Sequence, residues 1–327
     1  MKAISVHEFG GPEKLRMETH PDPAPAPGEV VVAIRAAGVN PADVYMRRGG
    51  YRLTPALPYI PGGDAAGEIV AVGGDARRLK VGQRVFIAST LGVAIDPHAG
   101  FTGCYAERVA RPEEQVLALP DGVSFAQAAA LGLPYTTAHF CLFARGGAQA
   151  GETVFIHGAS GSVGTAAVQL AKRAGLRVIG SAGSAEGLEL IRREGVDHPV
   201  DHSRPGYLDE VRRLPAPQLI LEMLADRNLA ADIDVIAPGG RIVIVGCRGE
   251  TTINPRSLMA KDADIRGVMI WNAAADQIRS VLQDVLAGVA EGALRPVVGR
   301  EMPLSEAARA QEAVIADGNN GKIVLIP

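Results

Sequence analysis

Three glycines, each separated by two residues, mark the part of the sequence with the clearest chemical meaning. Gly158, Gly161 and Gly164 follow a β-branched apolar run at 153–157 and precede apolar residues at helical spacing that stop at Gly175. This order predicts a strand, a tight turn and a helix. Glycine lets the backbone approach a pyrophosphate, whose charge binds at the N–H groups and positive dipole end of the helix. The stretch therefore predicts a dinucleotide-binding loop, with an ordinary strand-to-helix turn as the alternative.

The end of the next strand indicates which nicotinamide cofactor the loop binds. An acid at that position binds the ribose 2′-hydroxyl of NAD and repels a 2′-phosphate. Here the strand runs into Ser181 and Ser184, and the usual acid is missing. The two hydroxyls, with Arg192 or Arg193 downstream, are candidates to bind a phosphate, although the arginines also fit a solvent-exposed helix face. The predicted cofactor is therefore NADPH.

Composition excludes several classes of protein. The length of 327 residues suggests two domains, and 47% hydrophobic with 21% charged residues is typical of a globular chain. A net charge of −3 gives no basic surface for nucleic acid. Three widely separated cysteines favour neither a disulfide framework nor a zinc finger. Because neither a signal peptide nor an apolar run of about 18 residues is visible, we expect a cytoplasmic protein that does not span a membrane.

Two patterns of secondary structure divide the chain. Residues 1–123 hold short strands broken by Gly and Pro, which predicts a small barrel-like antiparallel domain with strands at 2–6, 29–36, 66–72, 84–88 and 115–119. Residues 124–270 begin with Ala-rich helical segments and then alternate strands and helices, which predicts a parallel sheet covered on both faces. The expected strands there are 153–157, 176–180, 199–201, 218–223, 241–245 and 265–270, and the expected helices are 162–174, 185–194, 207–213 and 228–236.

The segment 271–327 is too short for another domain. It opens with an amphipathic helix at 276–290, whose apolar residues repeat at i, i+3, i+4, i+7 and i+8. A helix capped by Ser305 and ending at residue 315 follows, and then a strand at 322–326. We expect this segment to return to the first domain.

Several motifs together carry a family resemblance over nearly the whole chain. They are Gly38-Val-Asn-Pro-Ala-Asp43, Pro58-Tyr-Ile-Pro-Gly62, Val154 to Gly164, Glu222-Met-Leu-Ala225, Gly239 to Gly249 and Ile253-Asn-Pro-Arg256. With them the chain resembles the zinc-independent quinone oxidoreductase branch of the medium-chain dehydrogenase/reductase family. The resemblance implies an α/β fold with a doubly wound Rossmann sheet, a GroES-like mainly-β barrel domain, and an active site in the cleft between them.

The resemblance also implies a set of cofactor contacts. Gly158 and Ser184 are candidate cofactor residues already named above. The resemblance adds Tyr51, Ser160, Gly161, Ser162, Val163, Gly183, His202, Asn228, Val245, Gly246, Cys247, Arg248, Val268, Met269 and Ile270. Simpler interpretations exist for some of them. His202 follows a short strand and also fits a surface histidine, Val268 and Ile270 fit a core strand, and Gly246 fits a turn.

The same resemblance argues against metal catalysis. Zinc-dependent relatives carry a cysteine where this chain has Asn40 and a histidine where it has Gly63, and an amide and a glycine cannot replace a thiolate and an imidazole. Three scattered cysteines also cannot form a four-cysteine structural site. We therefore predict that no metal is bound. Without a Lewis acid, electron-poor acceptors such as quinones or enones are better substrates than simple alcohols or ketones.

The candidate catalytic residues are Asn40, Tyr45 and Tyr51, which would orient and polarise the acceptor. Asn40 equally fits a helix N-cap, because Pro41 and Asp43 follow at first-turn positions. Tyr45 equally fits core packing. Cys104 is expected to be a small buried residue rather than a reactive thiol. The stretch 91–101 is longer than is usual in this branch, and it either shapes substrate choice or decorates the surface.

The leading hypothesis is an NADPH-dependent, metal-independent quinone reductase. A close alternative is reduction of α,β-unsaturated carbonyls, 2-alkenals or enones, which also requires a proton donor. An alternative of another class is a non-enzymatic RNA-binding or structural protein, which the charge of −3 disfavours. The family also implies a homodimer or homotetramer, formed through the edge strand near residues 268–270.

Overall fold

A computed structural model describes residues 1–95 and 101–327, so residues 96–100 of the predicted longer loop lie outside the described part. The N-terminal strands are β1 (Lys2–Ser5), β2 (Arg16–Thr19), β3 (Glu29–Gly38), β4 (Asp64–Val72), β5 (Arg84–Ile87), β6 (Arg108–Pro112) and β7 (Val116–Ala118). Two helices lie among them, α1 (Pro41–Arg47) and α2 (Ser89–Ile95). The five predicted strands are confirmed. β2, β6 and α2 were not predicted, since β2 is largely exposed and polar, and α2 has only seven residues.

The chain then crosses into a parallel sheet. The crossing consists of α3 (Phe125–Ala128), α4 (Gly132–His139) and a π-helical turn, Phe140–Arg145. The strands that follow are β8 (Thr153–Ile156), β9 (Arg177–Ala182), β10 (His198–Asp201), β11 (Leu219–Glu222), β12 (Arg241–Ile244) and β13 (Asp264–Gly267). The helices between them are α5 (Ser162–Arg173), α6 (Ala185–Arg193), α7 (Tyr207–Arg212), α8 (Ala225–Val235) and α9 (Pro255–Met259). The alternation predicted from the sequence is confirmed, with α9 as an additional short helix.

The order of the six strands is β10-β9-β8-β11-β12-β13, and every neighbouring pair is parallel. This is the doubly wound order in which the chain reverses direction between β8 and β11. Both strands are fully buried apolar runs, as expected for a sheet covered on both faces. The predicted Rossmann fold is therefore confirmed. In such sheets a ligand binds outside the carboxyl ends of the strands at the reversal point.

The last segment rejoins the first sheet. It comprises α10 (Ala275–Ala290), β14 (Val298–Pro303), α11 (Ala307–Ile315) and β15 (Lys322–Ile326). β15 pairs antiparallel with β3, so the N-terminal sheet has the order β14-β15-β3-β4-β5-β7, with β6 also on β3. A mainly-β GroES-like unit built from both chain ends is the result, and it confirms the fold class. The divisions at residues 123 and 270 stay predictions.

Two predicted boundaries are wrong. The strand expected at 265–270 ends at Gly267, because the chain leaves the ladder and turns into a short 3-10 helix, Ile270–Asn272. Ser305 does not cap a helix. It lies inside a 3-10 turn, Leu304–Glu306, and the N-cap position of α11 is Glu306. No helix in the described residues is both long enough and apolar enough to cross a bilayer.

Candidate active site

The glycine turn between β8 and α5 has the geometry that its sequence predicts, with a different role for each glycine. Gly158 has a φ of +54°, in the left-handed region that favours glycine. Gly161 is the N-cap of α5 with extended backbone. A Cβ on Gly164 would lie 2.3 Å from the carbonyl oxygen of Gly158, whereas one on Gly161 would meet only that oxygen, at 3.4 Å. Gly164 therefore lets the helix pack on the turn, and Gly161 keeps the surface of the turn open.

The open face of the turn presents hydrogen-bond donors. Gly161 provides no side-chain cap, and the first N–H groups of an α-helix, here those of Ser162 and Val163, have no acceptor within the helix. The N-terminus of α5 also carries the positive end of the helix dipole. Ser160 lies beside these donors and is largely buried. The turn therefore has the features of an anion site for a pyrophosphate.

The other residues implied by the resemblance follow the carboxyl edge of the same sheet. Gly183 and Ser184 follow β9, His202 follows β10, Asn228 lies in the first turn of α8 after β11, Val245 to Arg248 follow β12, and Val268 to Ile270 follow β13. Gly246 lies close to the end of β11, since a Cβ there would be 2.5 Å from the carbonyl oxygen of Met223. The structure thus brings these residues to one edge of the sheet, and Tyr51 is the predicted cofactor residue that comes from the N-terminal part of the chain.

Two details at the end of β9 differ from the prediction for a 2′-phosphate. Ser181 is fully buried, and its Oγ lies 3.3 Å from the N–H of Gly158 and 3.1 Å from Nδ1 of His202, so it supports the turn and is not available to a ligand. Arg192 is in the last turn of α6, where it pairs with Glu189. That turn is about 12 Å from the helix start, at 1.5 Å per residue. Ser181 is therefore not available to a phosphate at the N-terminus of α6, and Arg192 lies at the opposite end of that helix.

Ser184 remains at the N-terminus of α6. Its Oγ caps the helix by accepting the N–H of Gly187 at 3.0 Å, and its own O–H stays available as a donor. Gly183 lies against the imidazole of His202, since a Cβ there would be 2.5 Å from Nε2. Ser184, Gly183 and His202 are therefore neighbours at this corner of the sheet.

A buried polar cluster lies beneath the turn. Nε2 of His157, at the end of β8, is 2.8 Å from Oδ1 of Asp232 and 3.3 Å from Oε2 of Glu222. Burial raises the pKa of Glu222 to about 8 and that of Asp232 to about 7, while it lowers the pKa of His157. Oε1 of Glu222 accepts from the amide of Asn228 at 3.2 Å. Asn228 is thus tied to the cluster rather than free on the surface.

These three side chains form the group with metal-ligand spacing in the described part of the chain, since their ligand atoms lie within 4.8 Å of one another. A metal requires deprotonated carboxylates. The raised carboxyl pKa values and the 2.8 Å hydrogen bond between His157 and Asp232 favour shared protons instead. We therefore interpret the cluster as a neutralised polar core that supports the strand ends.

Two tyrosines form an aromatic wall beside the end of β13. The rings of Tyr45 and Tyr51 lie 5.9 Å apart between centroids, at an interplanar angle of 36°. Nε1 of Trp271 donates to the hydroxyl of Tyr51 at 2.7 Å, and this hydroxyl lies 4.0 Å from Sδ of Met269. Burial raises the pKa of Tyr51, so its phenol stays protonated at neutral pH. Two of the three predicted catalytic residues are therefore brought together next to the predicted cofactor residues 268–270.

Asn40, the third candidate, is 3% exposed and bound on both sides of its amide. Nδ2 donates to Oδ2 of Asp64 at 3.0 Å, and Oδ1 accepts from Nζ of Lys322. Asn40 does hold the N-cap position of α1, with Pro41 next and the Asp43 carboxylate accepting its N–H at 2.9 Å. Its side chain nevertheless faces Asp64 and Lys322 rather than the helix. The predicted capping position is correct, and the side-chain cap is replaced by this network.

Asp64 is the centre of that network. It is fully buried and accepts the N–H and hydroxyl of Ser89 at 3.1 and 2.9 Å and the N–H of Leu133 at 2.9 Å, in addition to Asn40. Its hydrogen bonds thus tie β4 to the starts of α1, α2 and α4. Asp43 lies nearby, accepts from the hydroxyl of Tyr105 at 2.9 Å, and has its pKa raised by burial to about 7.

The residues present do not fit a catalytic zinc at the place where zinc-dependent relatives hold it. Position 63 has no room for an imidazole, because a Cβ there would lie 2.4 Å from Cβ of Ser89. The amide of Asn40 is bound to an ammonium group, which repels a metal ion. Cys104 is fully buried and burial raises its pKa to about 11, so it offers no thiolate. Cys104 is thus the small buried residue that the sequence predicts.

Sequence reasoning missed four contributors to this region. Trp271 follows directly after the predicted residues 268–270, and a lone tryptophan beside them was a usable signal. The sequence could not indicate that Asp64 and Lys322 are buried, because charged residues are normally predicted to be on the surface. The segment 319–321 reaches the turn across the fold: the N–H of Gly321 donates to the carbonyl of Ser160 at 2.7 Å.

Comparisons with known proteins agree with this architecture. The family model "Alcohol dehydrogenase GroES-like domain" matches residues 26–121, and the model "Zinc-binding dehydrogenase" matches residues 162–287. Quinone oxidoreductase of Rattus norvegicus is 41% identical, over all of this chain and 98% of its own length.

Among the solved structures that match over the whole length of both chains are the following two. An NAD-dependent alcohol dehydrogenase superposes with a TM-score of 0.91 at 31% identity. A quinone oxidoreductase from Thermus thermophilus, described also in its complex with NADPH, superposes with a TM-score of 0.85 at 31% identity.

Proposed function

The chain belongs to the medium-chain dehydrogenase/reductase family, in its quinone oxidoreductase branch, and from this premise we propose that it reduces quinones with NADPH. The observation that carries the proposal is the wall of Tyr45 and Tyr51, held by Trp271 next to the carboxyl edge of the parallel sheet. Paired aromatic rings favour flat, electron-poor ring systems by stacking. Such acceptors also need no Lewis acid.

The cofactor side of the site follows from the glycine turn. The N–H groups of Ser162 and Val163 would bind the pyrophosphate at the N-terminus of α5, and the ends of β12 and β13 would bind the nicotinamide half. When bound, the dinucleotide supplies a hydride. A quinone that accepts this hydride and one proton becomes the hydroquinone, and the oxidised dinucleotide leaves.

Preference for NADPH over NADH rests on the N-terminus of α6. No acid ends β9, Ser184 keeps a free hydroxyl proton at the helix N-terminus, and first-turn N–H groups add to the attraction for a phosphate. The solved quinone oxidoreductase described with NADPH supports the same choice. The related alcohol dehydrogenase described as NAD-dependent makes a direct measurement necessary.

Steady-state kinetics test the proposal. With 9,10-phenanthrenequinone as acceptor, we expect a higher kcat/KM with NADPH than with NADH, and a lower kcat/KM with 2-alkenals than with the quinone. A kcat/KM with NADH that equals or exceeds the value with NADPH contradicts the cofactor assignment and leaves the substrate assignment intact. Turnover of 2-alkenals without turnover of the quinone contradicts the substrate assignment.

Reduction of enones is the second candidate, and one observation favours it. Hydride addition to the β-carbon requires a proton at the α-carbon. The Tyr51 hydroxyl accepts from Trp271, and its own proton makes only a long contact of 4.0 Å with Sδ of Met269, so it can be donated to a substrate. In that reaction Y51F lowers kcat, whereas quinone reduction, whose protons can come from solvent, is less affected.

We also propose a homodimer or homotetramer formed along the edge strand β13, next to residues 268–270. This strand pairs with β12 on one side, and its other side has no ladder partner in the described part of the chain. An unpaired edge strand is a template for pairing with a second copy. Sedimentation at micromolar concentration measures the mass, and a monomer there contradicts the proposal. The three free cysteines, one of them exposed, fit a reducing compartment such as the cytoplasm.

A further inference from the structure

A buried lysine amine contacts Asn40, one of the predicted catalytic residues. Lys322, the first residue of β15, is 1% exposed, and its Nζ lies 3.9 Å from Oδ2 of Asp64 while it donates to Oδ1 of Asn40. Removing an ammonium from water is costly unless it is paired and hydrogen-bonded. Burial lowers the pKa of Lys322, whereas the carboxylates of Asp64 and Asp43 raise it and so favour the charged form. Asn40 is the side chain to which Nζ donates directly.

The contact with Lys322 determines which way the Asn40 amide faces. An ammonium has three donors and no acceptor, and a carboxylate has only acceptors. Lys322 on one side and Asp64 on the other therefore fix Oδ1 toward the lysine and Nδ2 toward the aspartate. A flipped amide would place two donors against each other. One N–H of Nδ2 goes to Asp64, and the second N–H is the group of Asn40 that remains for another acceptor.

The charge of Lys322 also changes the strength of that second N–H. Hydrogen bonds in a chain polarise one another, and bonds to a charged group are stronger than neutral ones. A cation on the amide oxygen withdraws electron density from the amide nitrogen. The remaining N–H thus becomes a better donor to an oxygen on which negative charge develops.

We propose that Lys322 is a positioning residue for the reduction, which orients and polarises the Asn40 amide toward the acceptor oxygen. The inference rests on the proposed function and on the prediction from the sequence that Asn40 contacts the acceptor. In this branch the lysine would supply, through an amide, part of the electrostatic help that zinc supplies in zinc-dependent relatives. No bond is made or broken by Lys322 itself.

The backbone places Lys322 in fixed relation to the cofactor turn. Its neighbour Gly321 donates its N–H to the carbonyl of Ser160 at 2.7 Å and forms a parallel bridge with Gly161. On the other side, a Cβ on Gly38 would lie 2.8 Å from Cε of Lys322, so the glycine of β3 leaves room for the lysine stem. Two consecutive residues, Gly321 and Lys322, thus contact the glycine turn and the Asn40 amide.

Double-variant kinetics test the proposal. We expect N40A to lower kcat for 9,10-phenanthrenequinone by about 10²-fold, the usual effect of losing one such donor, and K322M to lower it by about tenfold or more. Because Lys322 acts through Asn40, the double variant should be within about twofold of N40A. The Kd of NADPH should stay within about twofold in all three. Unchanged kcat in K322M, or losses that multiply in the double variant, would overturn the proposal.

A matched control separates positioning from loss of stability. Gln311 is fully buried and accepts from Nε of Arg47 at 2.6 Å, so it ties α1 to α11 without contact to Asn40. We expect Q311L to lower the melting temperature as K322M does, with kcat unchanged. K322Q, which keeps an N–H donor without the charge, covers the case that K322M does not fold, and should give a kcat below that of the wild type.

Selective ¹⁵N-asparagine labelling provides a readout that needs no substrate. The side-chain amide signals of Asn40, assigned by their loss in N40A, should shift upfield in K322Q or K322M. Signals that stay in place refute the role of Lys322 even where quinone turnover is normal. An inactive wild-type enzyme with shifted amide signals would instead refute the proposed function and retain the positioning of Asn40.

Discussion

Replacing Gly161 and Gly164 separately by alanine distinguishes ligand binding from packing within one turn. Both glycines have ordinary negative φ values, so the substitutions differ only in what the new methyl group meets. On Gly161 the Cβ finds one atom, the carbonyl oxygen of Gly158 at 3.4 Å, which is ordinary contact. On Gly164 the Cβ would lie 2.3 Å from the same oxygen and 2.6 Å from Cα of Ala159.

The expected magnitudes follow from these distances. In G164A the methyl group is about 1 Å too close to backbone atoms that cannot rotate away, so α5 must shift, and overpacking of this kind costs about 1–3 kcal/mol of unfolding free energy. G161A should change the unfolding free energy by about 1 kcal/mol or less, the size of a changed N-cap. If a pyrophosphate lies on the turn, however, the methyl group of G161A occupies its place, and we expect the Kd of NADPH to rise by at least tenfold, or about 1.4 kcal/mol.

Denaturant unfolding and fluorescence titration with NADPH measure the two quantities. Gly74 provides the control, because a Cβ there meets nothing within 4 Å, and G74A should change neither the stability by more than about 1 kcal/mol nor the Kd. The reasoning fails if G161A binds NADPH as tightly as G74A does, since the dinucleotide then does not rest on the turn. It also fails if G164A is as stable as G161A.

Three further outcomes follow from single contacts. Y51F should lower the unfolding free energy by about 1–3 kcal/mol, because it leaves the largely buried Trp271 N–H without its acceptor; denaturant titration showing no change would contradict that bond. S184A should destabilise by about 1 kcal/mol through loss of the α6 cap and reduce the ratio of NADH to NADPH Kd values, which an unchanged ratio would contradict. The pKa of Glu222 is raised from 4.5 to about 8, so the folded state keeps a proton that the unfolded state loses, and stability falls as pH rises through this window. Relative to E222Q, the wild type should therefore lose up to about 1.4 kcal/mol for each pH unit between pH 6 and 8, and parallel pH curves for the two proteins would exclude the raised pKa.

The central strands of the parallel sheet were predictable because each is a local and mostly apolar run. β8 and β11 are buried on both faces, so their sequences contain no polar alternation that could suggest another structure. The glycine turn was predictable for a similar reason, since a positive φ at Gly158 and a close approach at Gly164 exclude most other residue types. Strands such as β2, exposed and polar, carry no such local constraint.

The candidate cofactor residues were proposed from resemblance, and the fold explains why those that follow the parallel strands lie at one edge. Parallel strands place their carboxyl ends at the same edge, so residues after β9, β10, β12 and β13 converge although they are far apart in sequence. The assignment of Ser181 to a phosphate failed for a reason that the sequence does not contain. A strand residue alternates between faces, and the face of Ser181 is buried beneath the turn, where its hydroxyl bonds Gly158 and His202.

The pairing of Asn40 with Lys322 lies beyond sequence reasoning of this kind, because the two residues are 282 positions apart and neither has an apolar pattern to place it. A lysine directly before an apolar strand is normally predicted to be a solvent-exposed strand end. Here the antiparallel pairing of β15 with β3 buries it. That pairing also explains why the chain returns to its first sheet after the Rossmann strands. It places Gly321 against the glycine turn and Lys322 in the amide network, so two consecutive residues contact the proposed cofactor site and the candidate catalytic residue Asn40. An insertion that lengthened the segment 318–321 by one residue would shift these contacts and should lower kcat for quinones while leaving NADPH binding nearly intact.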